Sequence, residues 1–333
     1  MNFDFNKTLV VAEIGNNHEG SFNNAKKLIL KASEAGADAV KLQTFIPENY
    51  YEKSQKQRIK FLKKVSLTKY EIYKLCSYAK KKKLIFFSTP FDLESAEFLN
   101  KIQPIFKISS GDNNFISLIE KVASYKKPLI ISTGGTKFKE IIKIKKIVNT
   151  IWKKKNYKNK LILLHCITQY PTKKIHANLN TIHKLKRIFS KDIIGYSDHT
   201  QGIDAAVLAV ACGARVIEKH FTLDKNFSNF RDHQISANPS ELKKLVKRIR
   251  KTEKILGKER TNIFDNETSS IINMRRSIAT AKVIKKSEKI SLNKIKFLRP
   301  GTGFGVNQLN KILGKRAKVK INKNIIIKKE YLK

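Results

Sequence analysis

Two histidines stand at matching places in the chain: His199 in the stretch GYSDHT and His220 in EKHFT, each closing a short apolar run. A lone histidine there is most often a hydrogen-bonded core residue. Two at the same height on neighbouring strands form an imidazole pair, which suits Mn²⁺, Fe²⁺ or Zn²⁺ with water in the open positions. A second set combines hydroxyls, on Thr89, Ser110, Ser132, Thr168 and Ser197, with the ammonium groups of Lys41 and Lys107. Many donors and compensating positive charge are what a phosphate or another oxyanion needs. The same lysines could instead be Schiff-base nucleophiles of the aldolase kind, and the residues alone leave that open. Four carboxylates, Glu13, Asp112, Asp198 and Asp232, could hold a metal's waters, bind hydroxyls or move protons. Structural pairing, with Lys41 or Arg231, is the alternative for Asp112.

These residues must be positioned by regular elements, and the sequence supplies them. Apolar runs rich in Val, Ile, Leu and Phe recur at 9–15, 38–45, 84–90, 105–111, 128–134, 161–167, 193–199 and 214–222. Near-continuous runs of this kind are strands buried on both faces. Between most of them lie segments of helical period, such as 25–35, 69–82, 93–100 and 138–152, and Gly36 and Gly213 stand where helix C-caps belong. Eight strands alternating with helices give the count of a (β/α)8 TIM barrel, though an open doubly wound sheet would alternate too. The polar residues decide between them. Nearly every run carries its unusual residues at its C-terminal end, from Glu13 through Lys41, Gln43 and Lys107 to the stretch 218–220. Only a barrel brings all eight of those ends to one mouth.

A basic helical segment, 239–256, closes this region, so residues 1–257 read as the catalytic barrel. The polar stretch 258–273 reads as a linker, and 274–333 as a small β-rich module that needs a partner surface. The formal charge of +42 raises a nucleic-acid-binding protein as an alternative of another class. The lysines, however, are spread over the chain, and no RRM, zinc-finger or helix-turn-helix pattern accompanies them, so a solvated lysine-rich surface is expected and nucleic acid is not. Three cysteines without paired spacing point to a reducing cytoplasm, and neither a signal peptide nor a membrane span is expected.

The motifs AEIGNNHEG (12–20), DAVKLQTF (38–45), STPFD (88–92), KISSGD (107–112), STGG (132–135), GYSDHT (195–200), EKHFTLD (218–224) and RPGTG (299–303) occur in order. Together they resemble the sialic acid synthase family, which comprises N-acetylneuraminate synthases and their legionaminate and pseudaminate relatives. The module 274–333 resembles that family's antifreeze-like (SAF) domain. The resemblance implies metal-dependent condensation of phosphoenolpyruvate with N-acetylmannosamine or a related acylated aminohexose, releasing phosphate and giving a nonulosonic acid. An N,N'-diacetyllegionaminate synthase, running the same reaction on a 2,4-diacetamido sugar, is the alternative. His199 and His220 would hold a divalent ion, Mn²⁺ in the first place, with Mg²⁺ or Co²⁺ as alternatives. Phosphoenolpyruvate would be bound by Lys41, Thr89, Lys107, Ser110, Ser132, Thr168 and Ser197, with Glu13 and Asp112 beside the histidines as catalytic groups. The sugar would meet Gln43, Tyr170, Asp232 and Arg299, the last reaching over the mouth of the partner subunit in a domain-swapped homodimer.

Three positions depart from the family pattern. Asp112 stands where Glu is common, Thr168 where Asn or Ser is frequent, and FRDH (230–233) replaces a GPD pattern, which makes Asp232 the equivalent carboxylate and brings Arg231 to the sugar side. A noncatalytic SAF-type binding protein would have no need of the histidine pair and the phosphate set.

Overall fold

The computed structural model describes residues 5–257, 259 and 262–333. The chain divides after Gly257 into two units, Met1–Gly257 and Lys258–Lys333. In the first, eight strands form: β1 (Leu9–Gly15), β2 (Ala39–Thr44), β3 (Ile85–Pro90), β4 (Phe106–Ile108), β5 (Leu129–Ser132), β6 (Ile162–His165), β7 (Ile193–Asp198) and β8 (Val216–His220). Their ladders are parallel and run in the order β3-β2-β1-β8-β7-β6-β5-β4. The two end strands, β3 and β4, lie side by side and bring the sheet round to a nearly closed (β/α)8 barrel.

Alternation along each strand sorts the side chains into two cores. Val11, Ala39, Phe87, Ile105, Ile130, Ile162, Leu164 and Val216 pack on one another inside the ring. Their immediate neighbours, among them Val10, Val40, Phe86, Phe106, Ile131, Leu163, Ile194 and Ile217, pack instead with the apolar stripes of the helices. Each fully buried aliphatic or aromatic side chain contributes roughly 1.5–3 kcal/mol, and both faces of every strand therefore hold the ring. Gly195 occupies an inward position because nothing larger fits: a Cβ there would come within 2.5 Å of Leu164 and of the Val216 carbonyl.

The helices start where local chemistry dictates. Thr68 and Glu71 form a reciprocal capping box before Lys69–Lys81, and Asn238 with Glu241 does the same before Pro239–Leu256, where proline takes the first turn. Gly36 and Gly213 end their helices with φ of +83° and +96°. The run 105–111 pairs only over Phe106–Ile108, because the Ser109–Asp112 segment turns back on itself with the Asp112 amide on the Ser109 carbonyl. The helix Lys56–Val65 had no clear apolar period in the sequence; only Leu62 and Val65 are buried on it.

The second unit holds an antiparallel pair, Ser277–Thr280 with Ile295–Leu298. Its core is Ile278, Ile284, Ile290, Ile312, Ala317, Ile321 and Ile327. Part of the stretch read as linker is helical here, over Thr268–Met274, and the Gly301 amide donates to the Ile272 carbonyl. Lys258, Arg260 and Thr261, in the same stretch, lie outside the described residues, as do residues 1–4. No helix among the described residues is long and apolar enough to cross a membrane.

Candidate active site

The parity that fills the barrel floor with aliphatic groups continues upward and changes chemistry. Two residues beyond Val11 stands Glu13, beyond Ala39 Lys41, beyond Phe87 Thr89, beyond Ile105 Lys107. In the same way Ser132 follows Ile130, Ser197 follows Gly195, and Glu218 and His220 follow Val216. All are buried. Polar atoms at this level must satisfy one another or await a ligand.

Lys41 is the busiest of them. Its Nζ lies 2.6 Å from Glu13 Oε2 and 3.6 Å from Glu218 Oε2, and donates to Thr89 Oγ1 at 3.1 Å. Lys107 Nζ lies 3.4 Å from Glu218 Oε1, which also accepts from Ser197 Oγ at 2.9 Å. Glu218 thus sits at the centre of the cluster. It was visible in the sequence only as one of the polar residues ending the eighth run, and it was not among the expected site residues. The signal that could have found it is parity, since it shares an inward face with His220.

Burial dominates the electrostatics. It drives the Glu13 carboxyl up to about 7, against the pull of Lys41. Glu218 moves the other way, down to about 2, because Lys107 and Lys41 together outweigh its burial. Burial pulls Lys107 down. It opposes the charge of Lys41 too, but Glu13 and Glu218 prevail and raise that lysine. One carboxylate is therefore firmly ionised, and the other is poised near neutrality.

The two histidines face this cluster from the residue just after β7 and from the last residue of β8. Their ring centroids are 5.6 Å apart. His199 Nδ1 is hydrogen-bonded with the Ile167 carbonyl at 2.7 Å, which leaves Nε2 for another partner. Tyr170 stacks on the His199 ring at 4.1 Å and meets the His220 ring edge-on. His220 Nδ1 is buried without a hydrogen-bond partner. Burial lowers both imidazoles, keeping them neutral, as metal donors must be. Among the described residues no group of three or more His, Cys, Asp or Glu could hold a metal. The donor set fits an ion held by two imidazoles, with water or substrate completing its shell.

A cavity of about 1080 Å³ opens above these groups. Of the expected site residues, Glu13, Lys41, Gln43, Lys107, Ser110, Ser132, Thr168, Tyr170, Ser197, His199, His220 and Asp232 line it. Thr89 stands behind Lys41 and orients it. Asp112 is not in the lining; Ser109 Oγ donates to its carboxylate at 2.5 Å. Arg299 belongs to the second unit, where it is exposed and its Nε donates to the Met274 carbonyl at 2.7 Å. The Arg231 side chain lies outside what the structure describes.

Loops after the strands complete the walls. Gly15, at φ +53°, passes so close beneath Glu13 and Gln43 that a Cβ would stand 3.0 Å from Glu13 Oε1. Asn16 donates to Gln43 at 2.8 Å. Asn17 reaches the Phe221 carbonyl and Ser236, both at 2.9 Å, and Glu19 bonds Ser228 and His233, so the first loop is fastened to the segment that carries Asp232. One flank is aromatic: Phe45, Tyr50, Tyr51 and Phe91 cluster together, and Phe61 meets Phe230 at 5.6 Å.

A (β/α)8 barrel whose mouth joins a lysine–carboxylate–hydroxyl cluster to two buried imidazoles has the make-up of a barrel enzyme. The chain belongs to the NeuB family, whose model matches residues 28–261. It is 39% identical over 325 residues to the N,N'-diacetyllegionaminic acid synthase of Campylobacter jejuni, covering 93% of this chain and 96% of that protein. An uncharacterized protein of Methanocaldococcus jannaschii is 43% identical over 312 residues, covering 93% and 90%. Among solved structures, the N-acetylneuraminic acid synthetase of Leptospira borgpetersenii, in complex with citrate, superposes with a TM-score of 0.74 at 37% identity, covering 80% of this chain and 91% of that one.

Proposed function

We propose that the protein condenses phosphoenolpyruvate with an acylated aminohexose, releasing phosphate and forming a nonulosonic acid. The observation that carries this reading is the buried cluster of Lys41, Lys107 and Ser197 around Glu218, facing two neutral imidazoles across one cavity. Kinship with synthases of N-acetylneuraminic and N,N'-diacetyllegionaminic acids supports it.

In this reading Lys41, Lys107, Ser110, Ser132, Thr168 and Ser197 bind the phosphate and carboxylate of phosphoenolpyruvate, and Thr89 aims Lys41. Gln43, Tyr170 and Asp232 hold the open-chain sugar with its aldehyde toward C3 of phosphoenolpyruvate. A new bond forms from C3 to the aldehyde carbon, the aldehyde oxygen takes a proton, water adds at C2, and the C2–oxygen bond to phosphate breaks. Glu13, near neutrality and bonded to Lys41, is placed to hold and return a proton; Asp112, turned onto Ser109, is not. His199 and His220 would hold a divalent ion, Mn²⁺, Mg²⁺ or Co²⁺, which when bound supplies Lewis-acid polarisation of the aldehyde. Positioning by the fixed cluster supplies much of the remaining rate. We further propose a cytoplasmic homodimer in which Arg299 of an SAF-like second unit serves the partner's barrel.

A second reading concerns the acceptor. The aromatic flank around Phe45, Tyr50, Phe61 and Phe91 offers apolar surface where a sugar edge would lie. That favours a 2,4-diacetamido-trideoxy sugar, with its methyl groups, over N-acetylmannosamine. A phosphate-release assay with phosphoenolpyruvate and a panel of aminohexoses tests both readings. Release with none of them sinks the reaction, and a preference for N-acetylmannosamine sinks the second reading alone.

A further inference from the structure

Glu218 is a buried carboxylate between two lysines at the heart of a site proposed to take a multiply charged anion. On its face that is unfavourable, because a carboxylate repels the ligand. The geometry supplies a reason for it. Its two oxygens are divided: Oε2 faces Lys41 at 3.6 Å, and Oε1 faces Lys107 at 3.4 Å while accepting from Ser197 at 2.9 Å. The groups it joins come from β2, β4 and β7, so a single planar group on β8 spans the ring. Two ammonium groups this close to one carboxylate, all buried, would repel each other without it and swing to other rotamers. Lys41 has further holds in Glu13 and Thr89. Lys107 has Glu218 as its ionic partner.

We propose that Glu218 is a positioning residue for the anion site: it fixes the spacing of Lys41 and Lys107 before ligand arrives, and the entering oxyanion then shares Lys107 and Ser197 with it. Its role is exercised through the lysines, not by contact with reacting atoms. This rests on the anion reading of the mouth given above.

The test compares wild type with Glu218→Gln, which keeps the shape and an acceptor for Ser197, and with Glu218→Asp, one methylene too short to span both lysines. Steady-state kinetics with phosphoenolpyruvate should show KM raised tenfold or more in Glu218→Gln, kcat changed less than threefold and the sugar KM unmoved, with Glu218→Asp in between. Calorimetric titration with phosphoenolpyruvate and with inorganic phosphate should show the same order of affinities, and melting curves identify any variant that has lost its fold. If Glu218→Gln does not fold, Glu218→Asp alone must raise the phosphoenolpyruvate KM severalfold at constant kcat. An unchanged or lowered KM in the folded variant overturns the proposal, as does a collapse of kcat at constant KM, which would make Glu218 a catalytic group. Absence of turnover in the wild type overturns the reaction instead, and the phosphate titrations still decide the role of Glu218.

Discussion

Asp198 and Lys219 form an ion pair 3.0 Å long with neither side chain exposed, directly behind the two site histidines. They are register partners on β7 and β8 and point outward, while Ser197 and His220, their neighbours in sequence, point inward. Asp198 also accepts from the Thr200 amide at 2.9 Å, and Lys219 donates to the Thr200 carbonyl. The pair locks the two strands that carry the imidazoles in one register. Lys219→Met should leave a buried carboxylate unpaired and cost about 3–5 kcal/mol in urea unfolding. The double variant Lys219→Met/Asp198→Asn should recover at least half of that; equal losses in single and double variants would show that the pair itself is unimportant.

His220→Ala should reduce turnover at least a hundredfold while the thermal transition stays cooperative, because the missing ring is a proposed ion donor at the cavity wall. Thorough chelation of the wild type should reach the same floor, and readdition of Mn²⁺ should restore only the wild type. Full activity after chelation would end the metal assignment.

Mixed dimers test the proposed exchange of second units. Pairing an Arg299→Ala subunit with a His220→Ala subunit leaves one intact barrel served by one intact Arg299, if the units cross over. About half the wild-type specific activity per mixed dimer is expected. Activity no higher than that of the Arg299→Ala homodimer would mean that each barrel uses its own arginine.

The buried imidazole of His18 supplies a pH dependence. Its Nδ1 accepts from the Gly20 amide at 3.1 Å, its Nε2 has no partner, and burial lowers its pKa from 6.5 to about 4. A depressed pKa means the unfolded chain takes up the proton first as pH falls. The stability owed to neutral His18 is complete above about pH 6.5 and drains away toward pH 4, by about 3 kcal/mol in all. His18→Asn, which can still accept from Gly20, should lose less over that interval. Parallel stability curves for the two proteins between pH 7 and 4 would refute this.

Much of the ring is legible in the sequence, because strands buried on both faces are written as unbroken apolar runs and their polar ends cluster at one mouth. The helix Lys56–Val65 is not, since just two of its residues are buried and its lysines mask the stripe. Glu218 is obscured for a related reason: followed directly by Lys219 and His220, it reads as one more charged residue at a strand end. Only the opposite orientations of Glu218 and Lys219 reveal that one belongs to the cavity and the other to the layer behind it. Asp112 illustrates what a motif leaves open: its place in KISSGD suits chemistry, and only the folded turn shows that its carboxylate accepts from Ser109 beside the cavity-lining Ser110 and Gly111.

The two-residue alternation within the strands has a consequence for how such a barrel can diverge. Deleting a single residue inside β8 would present Lys219 where His220 or Glu218 belongs, exchanging the inner and outer sets at a stroke. Length changes should therefore be tolerated best in the segments that follow the strand tips, where residues of 47–65 and 222–236 line the outer walls of the cavity. New acceptor preferences can be acquired there by lengthening or shortening a loop, while the lysines, hydroxyls and imidazoles beneath keep their places.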